Sequence, residues 1–598
     1  MSTSIGHQRL YKTLCRVLDS LCEEAPPSIP IYHAAPGNKD SLVQARSRAL
    51  LHLFLKARFG LVDFSQREKY ITDGPQDGGV DAYYIDAKAK KIYVLQSKFR
   101  ASAGNLISTN MSADDLLKMD VSRILKGEKR DEKGGFYNEQ IIKGLQKAIQ
   151  KLPDAGSYTQ QVVLLGNTKN FTSAHLNKLV EGYAVDQFPH HRLYQELLFP
   201  VINGTYFTDP NLTIEINLAN LKGDTHLDYD VKANSTKANI KLVFVPTKEI
   251  GRIMSIYRNS ILKFNPRSFL ELENNPVNKD IESSIKDEQS NEFALFNNGI
   301  TIISDQTSIS SDTAKQGTAQ LVLRNPQLVN GGQTAYTLGR IFEECVAANS
   351  FAIFKGKEVI LRVITFVGPK KPDMEKARIE LIGDISRASN SQTKIEESDR
   401  RSNDEIQIRL QDHFYEIYGL YYERKRGEFA DGIRSGYISK DQIVNREKVI
   451  RIALAAEYRV NQARSSVSKY FEETKLNLLL KVKDVPKYAY GYEVMRLLEA
   501  RRKSKPKLKG DRYHTKEHGQ ALRYGQYAVA AVCINLGLGT KLEEPMLSAV
   551  LKDWIKFEAW AESRSSNIAY TSKGSFDFVN YYKGSTINAD LQNFSFSV

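Results

Sequence analysis

One short segment, DGGVDAYYIDAKAKKIYVLQSKFR at residues 77–100, constrains this chain more than any other. Two apolar-rich runs, 80–86 and 91–97, flank a polar turn at 87–90, which predicts a β-hairpin. With the turn centred between Lys88 and Ala89, paired positions sum to 177 and Asp81 falls directly opposite Gln96. Side chains so paired have Cβ atoms about 4.5–5.5 Å apart. Residues two apart share a face, so Gln96 and Lys98 lie together, with Leu95, Ser97 and Phe99 on the other side. One face thus collects a carboxylate, an amide oxygen and an ammonium. A hard divalent cation takes oxygen ligands and keeps several waters. A neighbouring lysine can orient a water or offset charge on a phosphate. Gly78 and Gly79 would leave the backbone beside Asp81 open to a ligand. The same residues on an ordinary half-exposed hairpin would need no function.

The surroundings predict an α/β domain over residues 1–215. Residues 1–60 are helical in pattern, with a helix over 41–60 closed by Gly60. An amphipathic helix follows at 141–152, then a buried-type strand at 160–167 and another helix. Residues 235–440 form a second α/β region. NIKLVFVPT, ALFNNGITIISD and VILRVITFV are strand-like, LVLRNPQLVNGGQTAYTLGRIF is strand, turn and helix, and MEKARIELIGDISRAS is helical. Residues 441–598 are mostly helical, interrupted by a basic loop at 501–510. The expected fold class is therefore α/β with a mostly helical C-terminal region.

Composition narrows the function classes. Net charge is +14 with a pI near 9.2, an excess that suits a polyanionic partner such as nucleic acid. Cys15, Cys22, Cys345 and Cys533 show no CxxC spacing, which argues against a disulfide framework or a structural zinc site and fits a reducing cytoplasm. The longest apolar stretch, near 527–538, is too short and broken to span a bilayer, and the N-terminus lacks a signal-peptide core. A cytoplasmic protein with no membrane partner is expected. His514 and His518 stand four apart, without HExxH or a third ligand nearby, and are expected to be a solvent-exposed pair.

The GGVD turn, the apolar second strand carrying QxK and the helix after it resemble the PD-(D/E)xK nuclease superfamily. The pattern is most similar to the Mrr-like branch, in which Gln replaces the last acidic residue. The resemblance covers about residues 40–170 and implies a restriction-endonuclease-like domain. It implies Asp81 as metal ligand, Gln96 as second ligand or its support, Lys98 as catalytic lysine and the Ser97 carbonyl near the metal. The cofactor implied is Mg²⁺ or Mn²⁺. Family members often carry a Glu on the preceding helix, but residues 42–59 contain no acidic residue. Asp40 and Glu68 are weak substitutes, and Asp77 is nearer. By analogy with nucleases that cut two strands, the assembly could be a homodimer.

Three polar clusters end apolar elements farther along: FNNGIT with Asn297 and Asn298, VNGGQT with Asn330, Gln333 and Thr334, and SNSQT with Asn390 and Gln392. Singly, each is ordinary turn chemistry. Together with NPRSFL, VNKDI and YYERKRGEF they resemble, in order over about 240–430, the AIPR family, named for abortive infection and phage resistance. That resemblance implies a bacterial antiviral defence protein. The NGGQT turn is also similar to ParB-type nucleotide-binding turns, an analogy that would set Asn330, Gln333, Thr334, Asn390 and Gln392 around a nucleotide or nucleic-acid phosphate. At 421–426, YYERKR mixes aromatics with Arg424 and Lys425, a mix that can stack bases and hold phosphates. The expectation is a metal-dependent endonuclease, with DNA ahead of RNA as substrate. The alternative is a non-catalytic nucleotide or nucleic-acid sensor on a degenerate nuclease fold.

Overall fold

A computed structural model describes the chain apart from residues 1–4, 88, 207–212, 219–225, 233–236, 263–275, 288–291, 311–318, 368–380, 383, 386–396, 506–508, 538–543, 573 and 598. Its contacts divide it into two units, Met1–Ser389 with Gly427–Ile438, and Asn390–Arg426 with Ser439–Val598.

In the first unit, helices α1 (Ile5–Glu23) and α2 (Lys39–Phe59) pack on each other. Local chemistry bounds α2 at both ends. The Asn38 side chain accepts the Ser41 N–H, Asp40 sits in the first turn, and Lys56 and Arg58 sit in the last. Gly60 closes the helix in the left-handed region at φ 63°, as the sequence predicts.

Strands β1 (Ala82–Asp86), β2 (Lys91–Ser97), β3 (Thr159–Leu165) and β4 (Ala184–Gln187) form a sheet in that order. β1 and β2 are antiparallel, and β2, β3 and β4 run parallel. Ala82 pairs with Leu95 and Asp86 with Lys91, the register predicted from the turn. Tyr93, against Phe59, and Ser97, whose Oγ donates to the Ser47 carbonyl at 3.3 Å, face α2. Ile92 and Val94 face the opposite core, with Tyr83, Ile141, Leu145 and Val162. The helix expected at 141–152 is a π-helical stretch, Gln140–Gln146, running into Lys147–Gln150.

The remainder of this unit carries two more sheets. One has the order β5 (Thr213–Leu218), β10 (Ala319–Arg324), β9 (Gln306–Ser310). The other has the order β11 (Gln327–Asn330), β8 (Ile300–Ser304), β12 (Glu358–Val367), β7 (Lys237–Pro246), β6 (His226–Lys232). The residues ALF before Asn297, expected in a strand, belong instead to the helical turn Phe293–Phe296, and the strand begins at Ile300. Most of the helix expected at 374–389 lies outside the described residues.

The second unit is mostly helical, as expected, with a two-stranded parallel pair, β13 (Tyr421–Glu423) and β14 (Ile443–Asn445). The apolar stretch near 527 is the buried helix Gln526–Gly537. No helix among the described residues is long and apolar enough to cross a membrane. All four cysteines are free and buried. Two expectations are corrected here. Arg501, Arg502 and Lys503 form the last turn of helix Val485–Lys503 and not a loop, favourably placed at its carbonyl end. His514 and His518 are buried, their rings stacked 6.5 Å apart, and do not face solvent.

Candidate metal centre

Asp81 immediately precedes β1, and its backbone N–H donates to the Leu95 carbonyl at 2.9 Å. The regular pairing ends at Ala82 and Leu95, so the expected direct pairing of Asp81 with Gln96 is not part of the ladder; Asp81 bonds instead to the same Leu95, one residue out of register. The Asp81 carboxylate accepts the Ser97 N–H at 2.6 Å. The segment before it folds back alongside. Ile71 bridges Ala82, and the N–H groups of Thr72 and Asp73 both donate to the Asp81 carbonyl at 2.9 Å. Asp77 ties its own loop, accepting the Gly74 N–H at 3.1 Å and the Gly79 N–H at 2.9 Å.

The result is a cluster of Asp73, Asp77 and Asp81 with one carboxylate oxygen from each lying within 4.8 Å of the others. Burial pushes the Asp81 carboxyl well above the usual carboxylate range; Asp73 and Asp77 push it the same way, while the Ser97 N–H and Lys98 oppose. Burial raises Asp77 too, against its backbone hydrogen bonds. Like charges this close are tolerated when protonated or when a cation joins them.

Gln96 supplies an independent mark of the same site. Its side-chain N–H donates to the Asp115 carbonyl at 2.9 Å, and its Oε1 is buried with no hydrogen-bond partner among the described residues. A buried acceptor without a partner calls for an ion or a water. Gln96 immediately precedes Ser97, whose N–H binds the Asp81 carboxylate, and carboxylate and amide oxygens are the hard donors that Mg²⁺ or Mn²⁺ takes. The residues therefore fit a divalent cation.

Lys98 continues the same face and pairs with the Asp115 carboxylate at 3.2 Å, while its charge reaches both Asp77 and Asp81. Burial alone would raise Asp115, but hydrogen bonds from Ser112 and the pair with Lys98 hold it below its ordinary range. Ser97, expected to offer its carbonyl, engages Asp81 through its N–H.

Asp73 and Asp115 were not among the residues singled out from sequence. Neither has a local sequence signal: the four-residue spacing of Asp73, Asp77 and Asp81 gathers side chains only on a helix, which this loop is not, and Asp115 arrives from a separate short helix. One expectation is overturned. Gly78 and Gly79 have positive φ, and a Cβ at Gly79 would lie 2.8 Å from the Lys118 carbonyl oxygen, one at Gly78 2.8 Å from Ile124. Glycine is required there by close packing of protein, not by access for a ligand.

The FNNG and NGGQT turns also meet. Asn297 donates to Thr334 Oγ1 at 3.0 Å, and the Gly299 N–H donates to Asn297 Oδ1 at 3.1 Å. Gly331, at φ 80°, lies so close that a Cβ would fall 2.8 Å from the Gly299 carbonyl oxygen. Asn298 is exposed, and Asn330 and Gln333 are half-buried at this corner. Asn390 and Gln392 lie outside the described residues.

In the second unit, Tyr421 and Tyr422 are fully buried, so neither can stack on a base. Arg424 is turned inward, donating to Gln411 Oε1 at 2.8 Å and the Ser402 carbonyl at 3.0 Å. Lys425 is buried. Tyr421, Tyr422 and Lys425 are therefore core residues and Arg424 is engaged within the protein, so the expected grip on nucleic acid is not carried by these four side chains.

Fold and site define a mixed α/β protein with an acidic, oxygen-rich cluster suited to a hard cation. Residues 262–536 match the family model described as AIPR protein, so the chain carries an AIPR family domain over that span. No curated protein and no solved structure matches the chain.

Proposed function

We propose that the N-terminal domain is a divalent-metal-dependent nuclease acting on DNA ahead of RNA, and that the chain serves in defence against phage. The observation that carries the reading is the cluster of three carboxylates, tied by the Ser97 N–H to the strand end where Asp115 holds both Gln96 and Lys98. A Mg²⁺ or Mn²⁺ ion held by Asp73, Asp77, Asp81 and Gln96 would polarise a phosphoryl oxygen and lower the pKa of a water. Asp115 holds the Lys98 ammonium from one side, leaving donors to meet the charge that builds on a phosphate. The Ser97 N–H fixes the Asp81 carboxylate, and the Asp115 carbonyl fixes the Gln96 amide. A net charge of +14 favours the polyanion. The AIPR domain supports the defence role through the meaning of that family's name. The corner of Asn297, Asn298, Asn330, Gln333 and Thr334 is read as a surface for a nucleotide or a nucleic-acid phosphate.

The test is cleavage of plasmid, linear duplex, single-stranded DNA and RNA with Mg²⁺, Mn²⁺ or EDTA. Cleavage should require the metal and fall at least about a hundred-fold in Lys98→Met, a typical loss for a positioned proton or charge donor. Lys98→Met cutting at the wild-type rate, or cutting in EDTA, would overturn the reading. Loss of ligand binding in Asn330→Ala and Gln333→Ala is expected if the corner binds phosphate.

A further inference from the structure

The cluster needs something to hold Asp73, because Asp73 sits outside any helix or strand. Its backbone N–H is bound to Asp81, but that bond leaves its carbonyl and carboxylate unconstrained. Both are met by one side chain from α2. Arg48 donates from one terminal nitrogen to the Asp73 carbonyl at 2.7 Å and, at 3.3 Å, to Asp73 Oδ2.

Arg48 is itself fixed from two further directions. Its Nε donates to the Tyr32 hydroxyl at 2.9 Å and its second terminal nitrogen to Glu68 Oε1 at 3.3 Å. Tyr32 donates to Glu68 Oε2. His52, one turn after Arg48 on α2, contacts the Tyr32 hydroxyl at 2.6 Å and Glu68 Oε2 at 3.1 Å. The His52 ring is fully buried and stacks on Phe64 at 5.0 Å, nearly parallel. Each member is thus held by at least two others, and Arg48 carries the network to Asp73.

We infer that Tyr32, Arg48, His52 and Glu68 form the positioning network of the cation site, and that Arg48 acts through Asp73. The inference rests on the metal reading above. α2 has no carboxylate to send to the cluster between residues 42 and 59. It sends instead the guanidinium that places a carboxylate from the following loop, and Glu68 serves Arg48 and not the cation. The planar fork matters. A lysine keeps the charge but cannot donate along three fixed directions.

The test measures Mn²⁺ affinity of the full chain without substrate, by calorimetry or by the paramagnetic signal of free Mn²⁺. Arg48→Lys should weaken binding about 10–100-fold, the usual loss when an outer-shell partner of a ligand is removed. Tyr32→Phe, which removes the hydroxyl shared by Arg48, His52 and Glu68 but leaves both Arg48 bonds to Asp73, should weaken it less. Arg46→Met, on the same helix but paired with Asp19, should bind as wild type. In Asp73→Ala the further change Arg48→Lys should cost little, since the carboxylate that Arg48 places is already gone. Arg48→Lys binding as tightly as wild type, or full losses that multiply in the double variant, would overturn the inference while leaving the cation site standing. Wild type that binds no Mn²⁺ would remove the cation site and this inference with it. Should Arg48→Lys not fold, Tyr32→Phe still decides, and wild-type Mn²⁺ affinity in that variant would overturn the inference.

Discussion

Asp81→Asn should make the metal-free protein more stable and deaf to the metal. The substitution keeps the shape and the acceptor for the Ser97 N–H, and removes a buried carboxyl from a cluster within 4.8 Å. Two unit charges at that separation repel by about 3.5 kcal/mol at an effective dielectric of about 20, and Asp81 faces two of them. The full repulsion is never expressed. Burial and its neighbours favour the protonated form of Asp81, and Asp73, with its side chain 36% exposed, is screened by water. What remains is about 1–3 kcal/mol, or a rise of several degrees in the melting temperature at pH 8. A raised carboxyl pKa gives stability at low pH that is lost as pH rises through the folded-state value, so the advantage of the variant should fade toward pH 4. Mn²⁺ at about a hundred times its Kd should add about 2.7 kcal/mol to wild type and nothing to the variant. The assay is thermal melting at pH 4 and pH 8, with and without Mn²⁺. An Asp81→Asn protein that melts lower than wild type at pH 8 without metal, or that is stabilised by Mn²⁺ as wild type is, would refute the reasoning.

Three further outcomes are expected. Gln96→Met removes a buried acceptor that has no partner along with one hydrogen bond, so stability should change by no more than about 1 kcal/mol while Mn²⁺ affinity drops; unchanged affinity would take Gln96 out of the site. Glu558, which accepts from Tyr582 at 2.6 Å, is pushed by burial from 4.5 up to about 7. The native state then holds its proton more tightly than the unfolded chain. Stability should be full below about pH 4.5 and decline as pH rises through 7, and Glu558→Gln should flatten that slope in pH-dependent melting. Gly331→Ala forces a Cβ into a left-handed position 2.8 Å from the Gly299 carbonyl oxygen and should cost about 1–3 kcal/mol, seen as a lowered melting temperature; wild-type melting would mean the corner yields.

The hairpin was legible because alternation and turn length together set the register, and the pairing of Ala82 with Leu95 follows from both. α2 was legible through its own caps. Asp73 was not, because its place depends on a backbone bridge to Asp81 and on Arg48, two contacts that no local pattern encodes. Asp115 and the network around His52 were hidden for the same reason. The glycines beside Asp81 carried a true conformational signal but not its cause, since what approaches them is Lys118 and Ile124. Tyr421 and Tyr422 looked like a charged, aromatic surface run because charge density says nothing about which side chains a parallel strand pair buries.

The central claim is that Asp73, Asp77, Asp81 and Gln96 hold one divalent cation. The most direct measurement is anomalous scattering from crystals grown or soaked in Mn²⁺. The account predicts a single strong peak touching oxygens of the three aspartates, with Gln96 Oε1 turned toward it. A peak elsewhere with this cluster empty, or Mn²⁺ bound away from Gln96 and Asp81, would contradict it.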